Sequence, residues 1–286
     1  MFSTGGVAIK ACSLSSWQVA GFRSGIAALV LYIALPEARP SRKRRWTWRI
    51  WLIGLAYAAT LILFVAANKL TTSANAIFLQ STAPLYLLLL GPLVLREPIR
   101  KVDLAVISAV AAGATLLLFG TNAPFSTAPD PARGNWMALA AGVTWGLTIA
   151  GLRWMGKRPD RTQSPEATVI AGNLIAFAVC LPMAIPVEHA SPGDIGVLLY
   201  LGFFQISLAY VLLTRSLREV PGLEASTLLL IEPVFNPIWT WAVYGERPAA
   251  TALLGGFLII MAACGGTVWR LKAAVPIPRR SIVKEY

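Results

Sequence analysis

Glu232 is a carboxylate about halfway along a stretch of apolar residues, and Pro233 follows it directly. A charged group in the middle of a membrane costs at least about 2.5 kcal/mol on insertion scales, so such a residue usually has a function. An acid removed from water is more easily neutral, and a neutral acid can carry a proton. The structural alternative is that Glu232 donates a hydrogen bond to the backbone carbonyl that Pro233 leaves unpaired one turn earlier.

Arg23 and Gln80 are two further polar residues within apolar stretches. Arg23 could bind the carboxylate of a substrate, pair with an acid, or extend its charged end to the membrane surface. Gln80 precedes Pro84 by one helical turn, and its amide should face the protein interior because lipid offers no hydrogen-bond partner. Aromatic residues could form apolar pocket walls, although each alone is more often a packing residue. The deeper aromatic residues are Tyr57, Phe78, Tyr86, Trp145, Tyr210, Phe235 and Trp239.

We therefore predict a central cavity for a small molecule, with no catalytic residue, metal or cofactor. The predicted lining residues are Arg23, Phe78, Gln80, Tyr86, Trp145, Tyr210 and Glu232. Pro84 and Pro233 are the predicted hinges, because proline interrupts helical hydrogen bonding. Matched interruptions in two halves of a membrane chain are the best sequence indication of a binding site. The alternative is a permanent kink that shapes the packing.

The composition places these residues in a membrane. The chain of 286 residues is 56% hydrophobic and 13% charged, with a mean hydropathy of +0.64, whereas soluble domains have about 25% charged residues. A membrane-crossing helix needs about 20 mostly apolar residues. Runs that meet this length cover residues 17–35, 50–67, 74–95, 102–119, 136–154, 167–185, 195–213, 222–244 and 249–269. Residues 2–12 are apolar but reach only about half that length.

The short first run has a longer counterpart. Residues 4–9 resemble residues 145–150, which lie late in the sixth run. A matching start for the first helix would precede Met1, so we expect the first turns of helix 1 to be missing. Counting the short run gives ten spans.

Basic residues predict how these spans are oriented, because Lys and Arg are retained on the cytoplasmic side. With the N-terminus in the cytoplasm, most Lys and Arg fall in cytoplasmic loops, and the basic run at residues 42–45 then determines topology. The net charge of +12 does not require nucleic acid, because the basic residues occupy short gaps between apolar runs. The predicted outer segments hold only Lys10, Lys69, Arg133 and Arg247.

A repeated pattern divides the spans into two sets. The first copy contains Lys69, Ala76, Leu79, Pro84-Leu85-Tyr86, Val94 and Glu97; the second contains Arg218, Ala225, Leu228, Pro233-Val234-Phe235, Val243 and Glu246. Because each half has an odd number of spans, the second half enters the membrane inverted. We predict an all-α integral membrane protein with ten transmembrane helices, the first shortened, in two inverted five-helix repeats. Such repeats enclose a substrate site near the midplane of the bilayer.

The predicted divisions are a first repeat at 1–119, an outer linker at 120–135, a second repeat at 136–269 and a basic cytoplasmic tail at 270–286. Glu97 and Glu246 lie at helix ends next to prolines, and we expect loop or capping roles for them. Glu232 has no acidic counterpart in the first repeat, where Ala83 precedes Pro84.

The motifs of the second repeat resemble those of the EamA domain of the drug/metabolite transporter superfamily. They are Leu230-Ile231-Glu232-Pro233-Val234 and Gly245-Glu246-Arg247-Pro248, and Leu95-Arg96-Glu97-Pro98 repeats the second of them. The resemblance implies a ten-helix carrier of the bacterial inner membrane, with both termini cytoplasmic, that exports amino acids or other metabolites. Its size and aromatic content resemble those of the aromatic amino acid exporters in this superfamily.

Other classes fit the residues less well. The only histidine, His189, lies in a predicted outer loop, and the sequence has no HExxH, G-x-S-x-G or P-loop motif. The alternatives that stay open are a drug or amine efflux carrier of the same fold, a channel, and a structural membrane protein. The expected partners are the substrate, the lipid bilayer and protons, but not nucleic acid, and the chain is expected to be a monomer or weak dimer.

Overall fold

The computed structural model describes residues 2–41, 45–90, 92, 101–120, 126–156, 164–216 and 231–274. These residues form twelve α-helices and a π-helical segment at Tyr200–Leu208. The helices are α1 Gly5–Ala11, α2 Ser16–Ala34, α3 Trp48–Leu70, α4 Ser73–Gln80, α5 Ala83–Leu90, α6 Lys101–Phe119, α7 Pro131–Gly156, α8 Pro165–Ala184, α9 Pro192–Leu199, α10 Ala209–Ser216, α11 Ile231–Tyr244 and α12 Ala250–Ala274.

Among the described residues, six helical segments are long and apolar enough to cross a membrane: Ser16–Ala34, Trp48–Leu70, Ser73–Leu90, Lys101–Phe119, Pro165–Ala184 and Pro192–Leu212. Each coincides with a predicted run, and the predicted all-helical membrane class is confirmed. The helices α1 and α11 are shorter, and the apolar part of α12 is Ala250–Gly266. Three predicted features lie outside the described residues: Glu97, the first half of the run 222–244 and the tail beyond residue 274.

Two helices are longer than the apolar runs that predict them. The helix α7 already begins at Pro131, within the predicted linker, and α12 continues to Ala274, into the predicted tail. Local capping explains several other helix starts. Ser15 and Ser191 form capping boxes with Gln18 and Asp194, and the Thr72 hydroxyl accepts a hydrogen bond at the start of α4. Such caps satisfy backbone N–H groups that the first turn leaves free.

Successive membrane-crossing segments run in opposite directions, with α4 and α5 in one segment and α9, the π segment and α10 in another, so the bundle has two ends. At the Lys10 end, α1, α3, α8 and α11 finish and α2, α4, α7 and α9 begin. Hydrogen bonds between different connections hold this end together, for example from Asp130 N–H to Leu70 O at 3.1 Å and from Gln18 Nε2 to Ala184 O at 3.2 Å. At the Leu35 end, α2 and α7 finish and α3 and α8 begin.

Small residues allow close packing between helices within the chain, and Gly21, Gly25, Gly142 and Gly146 lie at such contacts. A Cβ atom on Gly21 would lie 2.9 Å from Cys180 Cβ, on α8. A Cβ atom on Gly142 would lie 2.8 Å from the Leu79 carbonyl oxygen, on α4. The helix α2 thus packs closely on α8, and α7 packs closely on α4 and α5.

Candidate functional site

A cavity of about 470 Å³ is lined by residues of α2, α3, α4, α5, α7, α8, the π segment, α10, α11 and α12. It extends from the middle of the bundle to the Leu35 end, where Leu35 and the first turn of α8 line it. Its polar lining residues are Arg23, Thr60, Gln80, Ser81, Thr148, Glu166, Thr168, Gln205 and Glu232, together with Tyr57, Trp145 and Tyr210. Pro84 and Pro233 also line it. The cavity therefore combines both signs of charge with aromatic surface.

Arg23 supplies the buried positive charge of this cavity and is only 1% exposed. Its Nη2 donates a hydrogen bond to the Leu61 carbonyl at 3.1 Å, and its Nε has no hydrogen-bond partner among the described residues. The guanidinium is therefore held inside the bundle and does not extend to the membrane surface. A buried guanidinium with an unused donor is suited to bind an acceptor that a ligand brings.

Glu232 supplies negative charge from the second residue of α11, beside Pro233. Gln80 and Pro84 line the cavity from the break between α4 and α5. Within the described part of the chain, neither Glu232 nor Arg23 forms an ion pair. Both charges thus border the same cavity without satisfying each other. The carbonyl that Pro233 would leave free belongs to residue 229, outside the described residues.

Three aromatic residues form one wall of the cavity. The ring of Tyr57 lies 6.1 Å from the ring of Trp145 and 6.0 Å from that of Tyr210, measured between centroids. The Tyr57 hydroxyl also interacts with the side chains of Tyr210 and Asn173. Such a wall presents apolar ring faces and a few polar hydroxyl groups to a ligand.

Two predicted cavity residues, Phe78 and Tyr86, are not among the lining residues. Phe78 is buried against α12, where its ring would lie 2.4 Å from a Cβ atom on Gly256. Tyr86 packs against Gly146 of α7, with 2.9 Å between its Cβ and a Cβ atom there. The cavity face of α4 instead carries Ile77, Gln80 and Ser81, which are spaced as one side of a helix. Phe235 and Trp239 also lie elsewhere and are partly exposed.

Some lining residues were missed or underrated by sequence reasoning. Tyr57 was noted only as one of the deeper aromatic residues. Thr148 and Glu166 were not singled out. The spacing of Trp145, Thr148 and Leu152 on α7 could have revealed a polar position on one helical face. Glu166 lies in the first turn of α8, directly after Pro165. An acidic residue is common at that position of any helix, so it gives no sign of a binding role.

Comparison with known proteins identifies the family. Residues 1–119 and 132–266 match the EamA-like transporter family. The chain belongs to this family. It is similar to the pseudopaline exporter CntI of Pseudomonas aeruginosa, with 25% identity over 263 residues that cover 91% of this chain and 90% of that protein. It is also similar to the uncharacterized transporter YwfM of Bacillus subtilis, with 27% identity over 254 residues, 85% of this chain and 83% of YwfM.

A solved crystal structure shares the fold of this EamA-like protein, with a TM-score of 0.62 and 19% sequence identity. The match covers 96% of this chain and 95% of the other. Family and helices together make this a multi-pass membrane transporter. They point to transport and not to an enzymatic reaction.

Proposed function

We propose that this EamA-like protein exports small metabolites from the cytoplasm by alternating access, and that its substrates are amino acids with aromatic or other apolar side chains. The observation that carries this proposal is that Arg23, Glu232 and the wall of Tyr57, Trp145 and Tyr210 border one cavity. An amino acid has a carboxylate for the guanidinium, an ammonium group for the carboxylate and a side chain for the aromatic wall.

The direction of transport follows from the predicted orientation. The loops at the Leu35 end carry most of the Lys and Arg, which favours a cytoplasmic location in the bacterial inner membrane. A cavity that extends to this end would receive substrate from the cytoplasm. The relative named an exporter is consistent with this direction.

Helix contacts support two inverted repeats as the moving parts. If the two halves are equivalent, each of the first five spans corresponds to the span five places later. The contact of α3 with α8 then corresponds to the contact of the π segment with α2. The contact of α4 with α7 likewise corresponds to that of α11 with α1, and all four contacts occur. Two halves related in this way can rock around a central site.

An amine efflux carrier is the second candidate, because Glu232 and the aromatic wall would suit a cationic amine without a carboxylate. Counterflow into proteoliposomes distinguishes the two, with tyrosine, tyramine and 3-(4-hydroxyphenyl)propanoate as matched probes. Saturable uptake of labelled tyrosine that exceeds that of both analogues supports the amino acid proposal. Preferential uptake of tyramine would establish the amine carrier instead, and flux linear in concentration would indicate a channel.

Glu232 makes proton exchange a testable part of the proposal. Efflux from preloaded proteoliposomes should increase when the outside is more acidic than the inside. We expect this in the native protein and in Glu232→Asp, but not in Glu232→Gln. If Glu232→Gln shows the same gradient dependence as the native protein, Glu232 is not the proton carrier. Native efflux that ignores the gradient would indicate facilitated diffusion.

A further inference from the structure

A buried ion pair joins the two predicted halves at the Lys10 end. Lys10 Nζ, near the end of α1, lies 3.2 Å from Glu246 Oε2, which follows α11. The two side chains are only 4% and 1% exposed. A pair this deep gains stability only if its remaining hydrogen bonds are satisfied, since removal of both charges from water is costly.

Neighbouring groups satisfy this pair. Lys10 Nζ also donates to the carbonyl oxygens of Thr71, at 2.9 Å, and Thr127. Glu246 Oε1 accepts from Ser73 N–H at 2.5 Å, and its Oε2 accepts from the Thr127 hydroxyl at 3.3 Å. Glu246 therefore caps α4, a helix of the other predicted half. We call Lys10 and Glu246 with these bonds the latch.

A seam of buried polar groups lies between the latch and the cavity. The helices α1 and α11 pack in parallel. Gly6 contacts Asn236, and Lys10, four residues after Gly6, contacts Glu246, ten residues after Asn236. Asn236 is one turn beyond Glu232 toward the Lys10 end and is 0% exposed. Neither Asn236 Oδ1 nor Nδ2 has a hydrogen-bond partner among the described residues.

An amide buried without partners is costly, because it has lost its hydrogen bonds to water and gained none in the protein. Such a group needs an explanation, and one is that it finds partners in another state of the protein. Ser73, whose hydroxyl donates to Asn68 Oδ1 at 3.1 Å, continues the polar surface from Asn236 to the latch. Polar residues thus lead from the cavity to the end of the molecule that this structure closes.

We propose that the seam between α1 and α11 is the exit path for substrate, and that the ion pair of Lys10 and Glu246 is the latch that must open to release it. This inference rests on the proposed transport function but predicts a structural change that can be detected without any substrate. Opening separates α1 from α11, hydrates Asn236 and gives its amide water or substrate as partners.

Accessibility of Asn236 to a reagent tests the latch. The variant Asn236→Cys is prepared with Cys12, Cys180 and Cys264 replaced by Ala, and is labelled in right-side-out vesicles with a membrane-impermeant methanethiosulfonate. These three replacements remove every other thiol of the chain, so labelling reports on position 236 alone. The second variant adds Glu246→Gln, which retains an acceptor for Ser73 N–H but loses the charge.

The expected result is that Glu246→Gln raises the labelling rate about tenfold or more, as a shift of about 1.4 kcal/mol toward the open state would. The exchanged pair Lys10→Glu with Glu246→Lys should return the rate toward the original. Lys10→Gln removes the same charge pair independently. If folded Glu246→Gln and Lys10→Gln proteins, checked by size exclusion, label no faster than the parent, the pair is static and the proposal is wrong.

The same measurement in inside-out vesicles separates this proposal from the predicted orientation. Faster labelling only in right-side-out vesicles supports both the latch and an outer Lys10 end. Faster labelling only in inside-out vesicles retains the latch but overturns export through this end. Failure of the tyrosine counterflow assay would overturn the proposed substrate without any change in these rates.

Discussion

Arg23 is held in position before any ligand arrives. Its Nη2 bond to Leu61 O fixes the guanidinium on α3, and Gly202 of the π segment packs close to the backbone of Arg23. Fixing the side chain in advance reduces the ordering that binding must achieve. The unused Nε donor then provides the directional part of recognition.

The variant Arg23→Gln should bind amino acids more weakly while leaving amines nearly unaffected. Loss of a charge-assisted hydrogen bond of about 1.5–3 kcal/mol corresponds to a rise of about tenfold to a hundredfold in KM. Arg23→Lys keeps the charge and is the matched control, with a smaller expected rise because it lacks the planar fork. Counterflow of tyrosine and tyramine gives both values; an equal loss for the two substrates would contradict a carboxylate role.

The sequence predicts the location of a single residue best where a polar or charged side chain lies within an apolar run. Arg23, Gln80 and Glu232 are polar groups within apolar runs, and such groups must face the protein interior. The aromatic residues carry no such constraint, since an aromatic ring is equally stable in lipid, in the core or in a cavity. Phe78 and Tyr86 were therefore assigned to the cavity although α12 and α7 cover them.

The glycines of α7 bring this helix close to the break between α4 and α5. A Cβ atom on Gly142 would lie 2.6 Å from the Thr82 hydroxyl and 2.8 Å from the Leu79 carbonyl. Gly142→Ala should therefore destabilise the protein by about 1–3 kcal/mol, the usual effect of overpacking. Thermal unfolding in detergent measures the change. Gly196→Ala, where a Cβ atom would meet nothing within 4 Å, should unfold at or slightly above the parent temperature, because alanine favours a helix over glycine. Equal unfolding temperatures for the two variants would contradict the close crossing.

Pro84 accounts for the break in this membrane-spanning segment. Without an N–H group, it cannot bond to the Gln80 carbonyl, and α4 ends at Gln80 while α5 starts at Ala83. Pro84→Ala should join the two helices, raise thermal stability and lower the turnover number several-fold. Pro182→Ala in α8, whose proline does not line the cavity, is the control and should keep native turnover. A native turnover number in Pro84→Ala would exclude Pro84 as a hinge.

Helices were largely predictable, but their irregular parts were not. Runs of apolar residues about 20 long indicate spans because lipid requires internally paired backbone. The π segment at Tyr200–Leu208 has no comparable signal in its sequence. It depends on tertiary contacts with α2, where the Ser207 hydroxyl donates to Ala27 O at 3.3 Å and Gly202 packs against Ile26. This segment places Gln205 and Ile206 at the cavity.

Exposed basic residues are concentrated at the Leu35 end of the molecule more strongly than the sequence indicates. Of the four basic residues predicted outside, Lys10 is paired with Glu246, and the Lys69 ammonium group donates a hydrogen bond to the Cys12 carbonyl. Neither is a free surface charge. At the Leu35 end, by contrast, Arg45 and Arg153 are exposed at the surface. Sequence counting could not separate buried from exposed cations, because the latch forms between residues far apart in the chain.

This asymmetry predicts the orientation of the whole protein. Exposed Lys and Arg remain in the cytoplasm during insertion, so the Leu35 end and both termini should be cytoplasmic. Green fluorescent protein fused after Tyr286 should therefore fluoresce, and alkaline phosphatase inserted after Glu188, between α8 and α9, should be active. Exchange of the two reporters is the control and should silence both. A fluorescent insertion at Glu188 with an active phosphatase at the C-terminus would reverse the topology, and the cavity would then extend to the outside of the cell.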